Sequence, residues 1–127
     1  TEIYTLSLHD ALPICEVWKD NTDVKSLTEI QQLLILSVLA GRDVVCGSAC
    51  GTGKTMGCVL SIVHQLMTRK PRLNRTDGTQ VIVLCQDLQR CENVARLFQS
   101  FMKKACWWLT CSVFAGHLFW PHGSCHG

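Results

Sequence analysis

Residues 47–55 read GSACGTGKT, a glycine-containing loop closed by a lysine and a threonine. Before it stands the short apolar, β-branched run DVVCG at 43–47, which predicts a buried strand. After it, Met56, Val59, Leu60, Val63, Leu66 and Met67 recur at helical spacing, predicting a helix from 54 to about 68. A strand that feeds a glycine loop and then a helix is a strong constraint. Its backbone must turn sharply, and the helix must begin at the turn.

That arrangement suits an anion. Gly51 and Gly53 let the backbone approach a phosphate closely. The helix start presents unbonded N–H groups and the positive end of its dipole. The spacing G-x-x-x-x-G-K-[ST] is that of a P-loop, in which Lys54 would reach the β- and γ-phosphates and Thr55 would hold Mg²⁺. Ser48 stands where the bare pattern has its first glycine, and the flanking strand and helix supply the context that pattern requires. A glycine-rich turn that binds nothing is the alternative.

The remaining pattern alternates. Residues 26–39 read as a helix, with capping-box spacing at both Ser26/Glu29 and Thr28/Gln31. Ile30, Leu33, Leu34 and Val38 give its expected apolar face, and Gly41 ends it. Residues 71–78 form a polar loop with turn residues. VIVLC at 81–85 predicts a second buried strand. Residues 88–104 predict a third helix with Cys91, Val94, Ala95, Phe98, Phe101 and Met102 on one face, and 109–114 a third strand. Helices alternating with strands predict an α/β fold with a parallel sheet flanked by helices.

Composition excludes some classes and leaves others open. Hydrophobic residues make up 47% of 127 positions, enough for one domain with a core rather than a disordered chain. A net charge of +2 does not by itself argue for nucleic acid or an anionic membrane. The nine cysteines contain no C-x-x-C pair and read as buried free thiols of a cytoplasmic or nuclear protein. No secretory signal and no membrane span is expected. Arg69, Lys70, Arg72 and Arg75 read as a solvated loop, with RNA phosphate contact as the alternative. His117, His122, Cys125 and His126 match no standard metal spacing. Trp107, Trp108 and Trp120 read as packed against a sheet or exposed by truncation, with base stacking as the alternative.

LTEIQ at 27–31, LAGRDVV at 39–45 and the P-loop together resemble the DEAD-box RNA helicase family. That family carries T-P-I-Q, then Gly-Arg/Lys-Asp, then A-x-x-G-x-G-K-T, and the register agrees without a gap from Thr28 through Asp43 to Thr55. The likeness covers about residues 27–116 and implies a truncated RecA-like P-loop domain. It implies ATP and Mg²⁺ as cofactors. Ser48, Ala49, Cys50, Gly51, Thr52 and Gly53 would then cradle phosphates, with Lys54 and Thr55 as catalytic residues and Thr55 on the metal. The family glutamine that recognises adenine would be Gln31, whose amide has the matching donor and acceptor; a solvated helix residue is its alternative.

The chain also departs from the family. Glu29 and Leu36 stand at usual prolines, Ser48 and Cys50 replace an Ala and a Thr, and QDLQRC at 86–91 replaces the RNA-touching P-T-R-E-L-A. D-E-A-D occurs nowhere in the 127 residues. The chain is therefore expected to stop short of that segment and of a second RecA-like domain, and to hydrolyse ATP poorly alone. Such divergent cores resemble the Tudor-domain helicases of the germline piRNA pathway, implying RNA and germline RNA–protein complexes as partners. Residues 1–14 (TEIYTLSLHDALPI) resemble a translated sequencing-library adapter, so His9 and Asp10 are expected to carry no chemistry. The expected division is 1–14 as artefact, 15–116 as partial ATP-binding domain and 117–127 as a tail of uncertain origin. The expected function is ATP binding within an RNA helicase core. A degenerate helicase-like scaffold and an unrelated P-loop ATPase are the alternatives.

Overall fold

The computed structural model describes residues 27–106 and 109–114. Three helices organise them: α1 (Glu29–Leu39), α2 (Lys54–Thr68) and α3 (Leu88–Ala105). A short 3-10 turn, Arg75–Asp77, lies in the loop between α2 and α3. α2 is the middle element, packing against α1 on one side and α3 on another.

Of the two capping boxes that the sequence offers, the one at Thr28 forms. The Thr28 hydroxyl accepts from the Gln31 N–H, and the Gln31 side chain accepts from the Thr28 N–H. The helix therefore starts at Glu29 rather than 26, and Ser26 lies outside the described residues. At its far end the Ala40 N–H donates to the Leu36 carbonyl and the Gly41 N–H to the Val38 carbonyl, with Gly41 at φ +74. α3 begins on Asp87, whose carboxylate accepts from the Arg90 N–H at 2.8 Å. Lys103 and Lys104 in its last turn complement the negative end of the helix dipole.

The core gathers Leu27, Ile35, Val59, Leu60, Val63, Phe98, Phe101 and Met102. The spacing of Val59, Leu60 and Val63 and of Ala95, Phe98, Phe101 and Met102 puts one face of each helix inward, as periodicity predicts. Phe101 is 1% exposed, and its truncation to Ala would cost about 3–5 kcal/mol. The face of α1 is rotated from the sequence reading. Gln31, Leu34 and Ile35 are buried, whereas Leu33 is exposed and Ile30 is half-buried. With every position from 33 to 36 apolar, the helix has no contrast from which to read its phase; packing on α2 sets it.

The expected strands are not found. Among the described residues, 43–47, 81–85 and 109–114 carry no strand pairing, and the parallel sheet is not formed. Val45, Ile82, Leu84 and Phe114 are largely exposed. An apolar β-branched run reports side chains suited to burial, but a strand exists only where a neighbour completes its hydrogen-bond ladder. The cysteines also differ from the reading as buried thiols. All seven described ones are free, but only Cys106 is buried, while Cys50 and Cys58 are exposed.

Candidate functional site

The glycine loop joins the exposed 43–47 segment to α2. Gly51 has φ +77 and Gly53 φ +90, left-handed values that a residue with a Cβ adopts only under strain. Gly53 is the N-cap of α2, and no side chain caps that helix end. The first N–H groups of a 15-residue helix are thereby left without a side-chain partner.

The loop braces itself. Thr52 Oγ1 donates to the Ala49 carbonyl at 2.8 Å, so the Ser48 hydroxyl, 2.5 Å away, is the donor to Thr52 Oγ1. Ser48, which departs from the family alanine, thus has a structural partner inside the loop. The Lys54 ammonium bends back to the carbonyls of Ser48 and Ala49, the latter at 3.1 Å. A cation held over the loop by neutral carbonyls is a cation that a phosphate can attract, because charge-assisted hydrogen bonds are stronger. Thr55 is exposed at the first turn of α2, beside Lys54. Cys50 is exposed at the loop crest.

α1 holds the loop from beneath. Gln31 is only 7% exposed, so it is no solvated helix residue. Its Oε1 accepts from the Thr28 N–H at 2.9 Å, and its Nε2 donates to the Gly53 carbonyl at 3.3 Å. Thr28 adds a second tie, its hydroxyl donating to the Thr52 carbonyl at 3.0 Å. One lone pair on Oε1 and one proton on Nε2 remain, the complement of adenine's N6–H and N7. The structure therefore brings Gln31, residues 48–53, Lys54 and Thr55 into one site. Sequence reasoning gave Thr28 only a capping role and did not single out Gly57, which lies under Gln31 and Leu34. A glycine inside a helix, at a cost of about 1 kcal/mol relative to Ala, is the sequence signal for Gly57.

Other sequence candidates fall elsewhere. Arg69 pairs with the Gln80 side chain, and Gln80 in turn donates to the Asp77 carbonyl at 2.9 Å, so this loop folds on itself away from the glycine loop. Among the described residues no cluster of His, Cys, Asp and Glu is placed to hold a metal ion. No described helix is long and apolar enough to cross a membrane. Residues 1–14 with His9 and Asp10, Trp107, Trp108 and Trp120, and the 117–127 tail with its His117, His122, Cys125 and His126 lie outside the described residues. Inside the helical core, His64 on α2 is 7% exposed, its Nδ1 has no hydrogen-bond partner, and burial pushes its pKa below the usual imidazole value. Although Cys58 as a residue is exposed, partial desolvation of its sulfur raises its thiol, with nearby Cys46 adding to the shift, and full burial raises Cys106 to about 11.

A helix capped through Thr28 and Gln31 thus carries a glycine loop seated on it, with Lys54-Thr55 opening the next helix. The family profile described as DEAD/DEAH box helicase matches residues 28–118. The chain belongs to that family, as a divergent member. It is 34% identical over 102 residues to DEAD-box ATP-dependent RNA helicase 17 of Oryza sativa subsp. japonica, covering 80% of this chain and 17% of that protein. It is 31% identical over 116 residues to the probable ATP-dependent RNA helicase CG8611 of Drosophila melanogaster, covering 91% and 12%. The human relative DDX31, described as an ATP-dependent DNA helicase, is 32% identical over 87 residues, covering 64% and 10%. The chain thus spans less than a fifth of the length of these relatives. No solved structure matches it. The germline partners implied by the Tudor-domain resemblance gain no support from these relatives.

Proposed function

We propose that this chain is the ATP-binding part of an ATP-dependent RNA helicase core. The observation that carries the proposal is the glycine loop, with two left-handed glycines, an uncapped helix end and Lys54 folded over it, seated on a buried Gln31. Loop N–H groups and Lys54 take the phosphates, Thr55 takes Mg²⁺ and Gln31 takes the adenine edge. The residues fit these groups: the loop is rich in donors and short of carboxylates, which suits an anion with its cation. Bound Mg²⁺ would supply charge neutralisation between phosphate oxygens.

In the longer parent, the segments 43–47, 81–85 and 109–114 become strands of a parallel RecA-like sheet. Their exposed Val45, Ile82 and Leu84 support this reading, since such side chains suit a sheet covered on both faces. The parent binds and remodels RNA in the cytoplasm or nucleus, and the carboxylates that activate water lie in a segment this sequence does not contain.

The test is equilibrium titration of the 127-residue chain with ATP and Mg²⁺. Wild type is expected to bind, and Lys54→Ala to weaken binding roughly 10- to 100-fold, the worth of one charge-assisted hydrogen bond. Equal affinity of the two would remove the P-loop from the reading. Unchanged ATP affinity in Gln31→Ala would remove the adenine contact alone.

A further inference from the structure

Gly53 and Gly57 lie one turn apart at the start of α2, and both face Gln31. Their reasons for being glycine differ. Gly53 has a left-handed backbone, and a Cβ there would stand 2.3 Å from Gln31 Nε2. Gly57 is an ordinary helical residue, so its backbone makes no demand for glycine. What it provides is room. A Cβ at Gly57 would stand 3.1 Å from Leu34 Cδ1, 3.3 Å from Gln31 Cα and 3.5 Å from Gln31 Cγ. Two of these three neighbours belong to Gln31, and one is its backbone, which cannot turn aside as a side-chain tip can.

We infer that Gly57 is a positioning residue for nucleobase selection. By letting α1 seat directly on α2, it holds the Gln31 amide against the Gly53 carbonyl, at the place from which that amide meets adenine. This inference rests on the proposed reading that Gln31 faces adenine. The tie it protects has little slack: Nε2 to the Gly53 oxygen is already 3.3 Å, near the long end for such a bond. Moving Gln31 outward by a few tenths of an ångström breaks it. The contacts to phosphate, made by the loop N–H groups and Lys54, do not use the Gln31 amide, and the Thr28 hydroxyl still ties the loop to α1 through the Thr52 carbonyl. A side chain at 57 therefore lowers ATP affinity while sparing nucleotides that Gln31 does not read.

The experiment compares ATP with GTP, both with Mg²⁺, on the 127-residue chain. The variants are Gly57→Ala, Gly57→Val, Gln31→Ala and the double variant Gly57→Val/Leu34→Ala. Hydrogen exchange of the Gln31 side-chain amide is followed by NMR without nucleotide. Wild type should prefer ATP. Gly57→Val should lose about tenfold in ATP affinity, as Gln31→Ala does, with GTP affinity within about twofold of wild type. Gly57→Ala should fall between, and Leu34→Ala should restore part of the loss by making room for the added methyls. Faster exchange of the Gln31 amide should accompany each loss.

An unchanged ATP-to-GTP ratio in both Gly57 variants overturns the inference, as does an equal loss of both nucleotides. Gly57→Ala decides the matter if Gly57→Val does not fold. A wild type that binds ATP and GTP equally overturns the adenine reading itself. The amide exchange needs no nucleotide and so separates that failure from a failure of Gly57 to position Gln31.

Discussion

The Gln31 Nε2 donates to the Gly53 carbonyl, and a Cβ added to Gly53 would lie 2.3 Å from that same nitrogen. The capping glutamine of α1 thus fills the space that a side chain on the capping glycine of α2 would need. One side chain closes the N-terminus of its own helix and supports the loop that opens the next.

Gly53→Ala is expected to be severe. It combines a Cβ clash with φ +90, a conformation that costs a residue with a Cβ of order 1–3 kcal/mol on its own. Urea denaturation should show at least that loss, and ATP affinity should fall with it. A variant as stable as wild type would mean that the loop can move off Gln31 freely.

Thr28→Ala removes two ties at once, the cap on α1 and the hydroxyl bond to the Thr52 carbonyl. A cap of this kind is worth about 0.5–2 kcal/mol. Thermal melts should show the loss, and Thr28→Ser should recover most of it. Equal melting of Thr28→Ala and wild type would contradict the double role.

His64 makes the fold acid-sensitive. Its pKa is lowered in the folded state by burial, so the unfolded chain takes up a proton more readily. Its contribution is complete above about pH 6.5, the unfolded value, and is lost as pH falls below that towards the folded pKa. Denaturation midpoints measured from pH 8 to pH 5 should fall, and His64→Gln should flatten that slope. An identical slope in the variant would place the sensitivity elsewhere.

Cysteine reactivity should divide by burial. Cys106 is 0% exposed with its pKa near 11, leaving about one thiol in a thousand ionised at pH 8. Cys50 sits exposed on the glycine loop. Timed iodoacetamide labelling read by mass spectrometry should modify Cys50 first and leave Cys106 unmodified until the chain is denatured. Saturating ATP should slow Cys50, since the nucleotide would cover the loop.

The 127-residue chain is expected to release no phosphate from ATP beyond the Lys54→Ala background, because it contains no D-E-A-D carboxylates. Robust turnover in a phosphate-release assay, lost in Lys54→Ala, would show that the water is activated by other groups.

The glycine loop, the extents of α2 and α3, and the register from Thr28 through Asp43 to Thr55 were legible in the sequence because they are local. They depend on glycine freedom, caps and helical spacing within short stretches. The start and phase of α1 were not legible: residues 33–36 are uniformly apolar and two capping boxes competed, so docking on α2 decided both. Strand pairing was also beyond reach of pattern alone, because VVC and VIVLC state a demand for burial without supplying the neighbour that meets it. Only tertiary structure placed Gln31 under Gly53, 22 residues apart in the chain, and showed that Gly57 is small because Gln31 and Leu34 fill the space its side chain would need. Sequence determined which groups could bind a phosphate; packing of α1 on α2 determined which of them stand together.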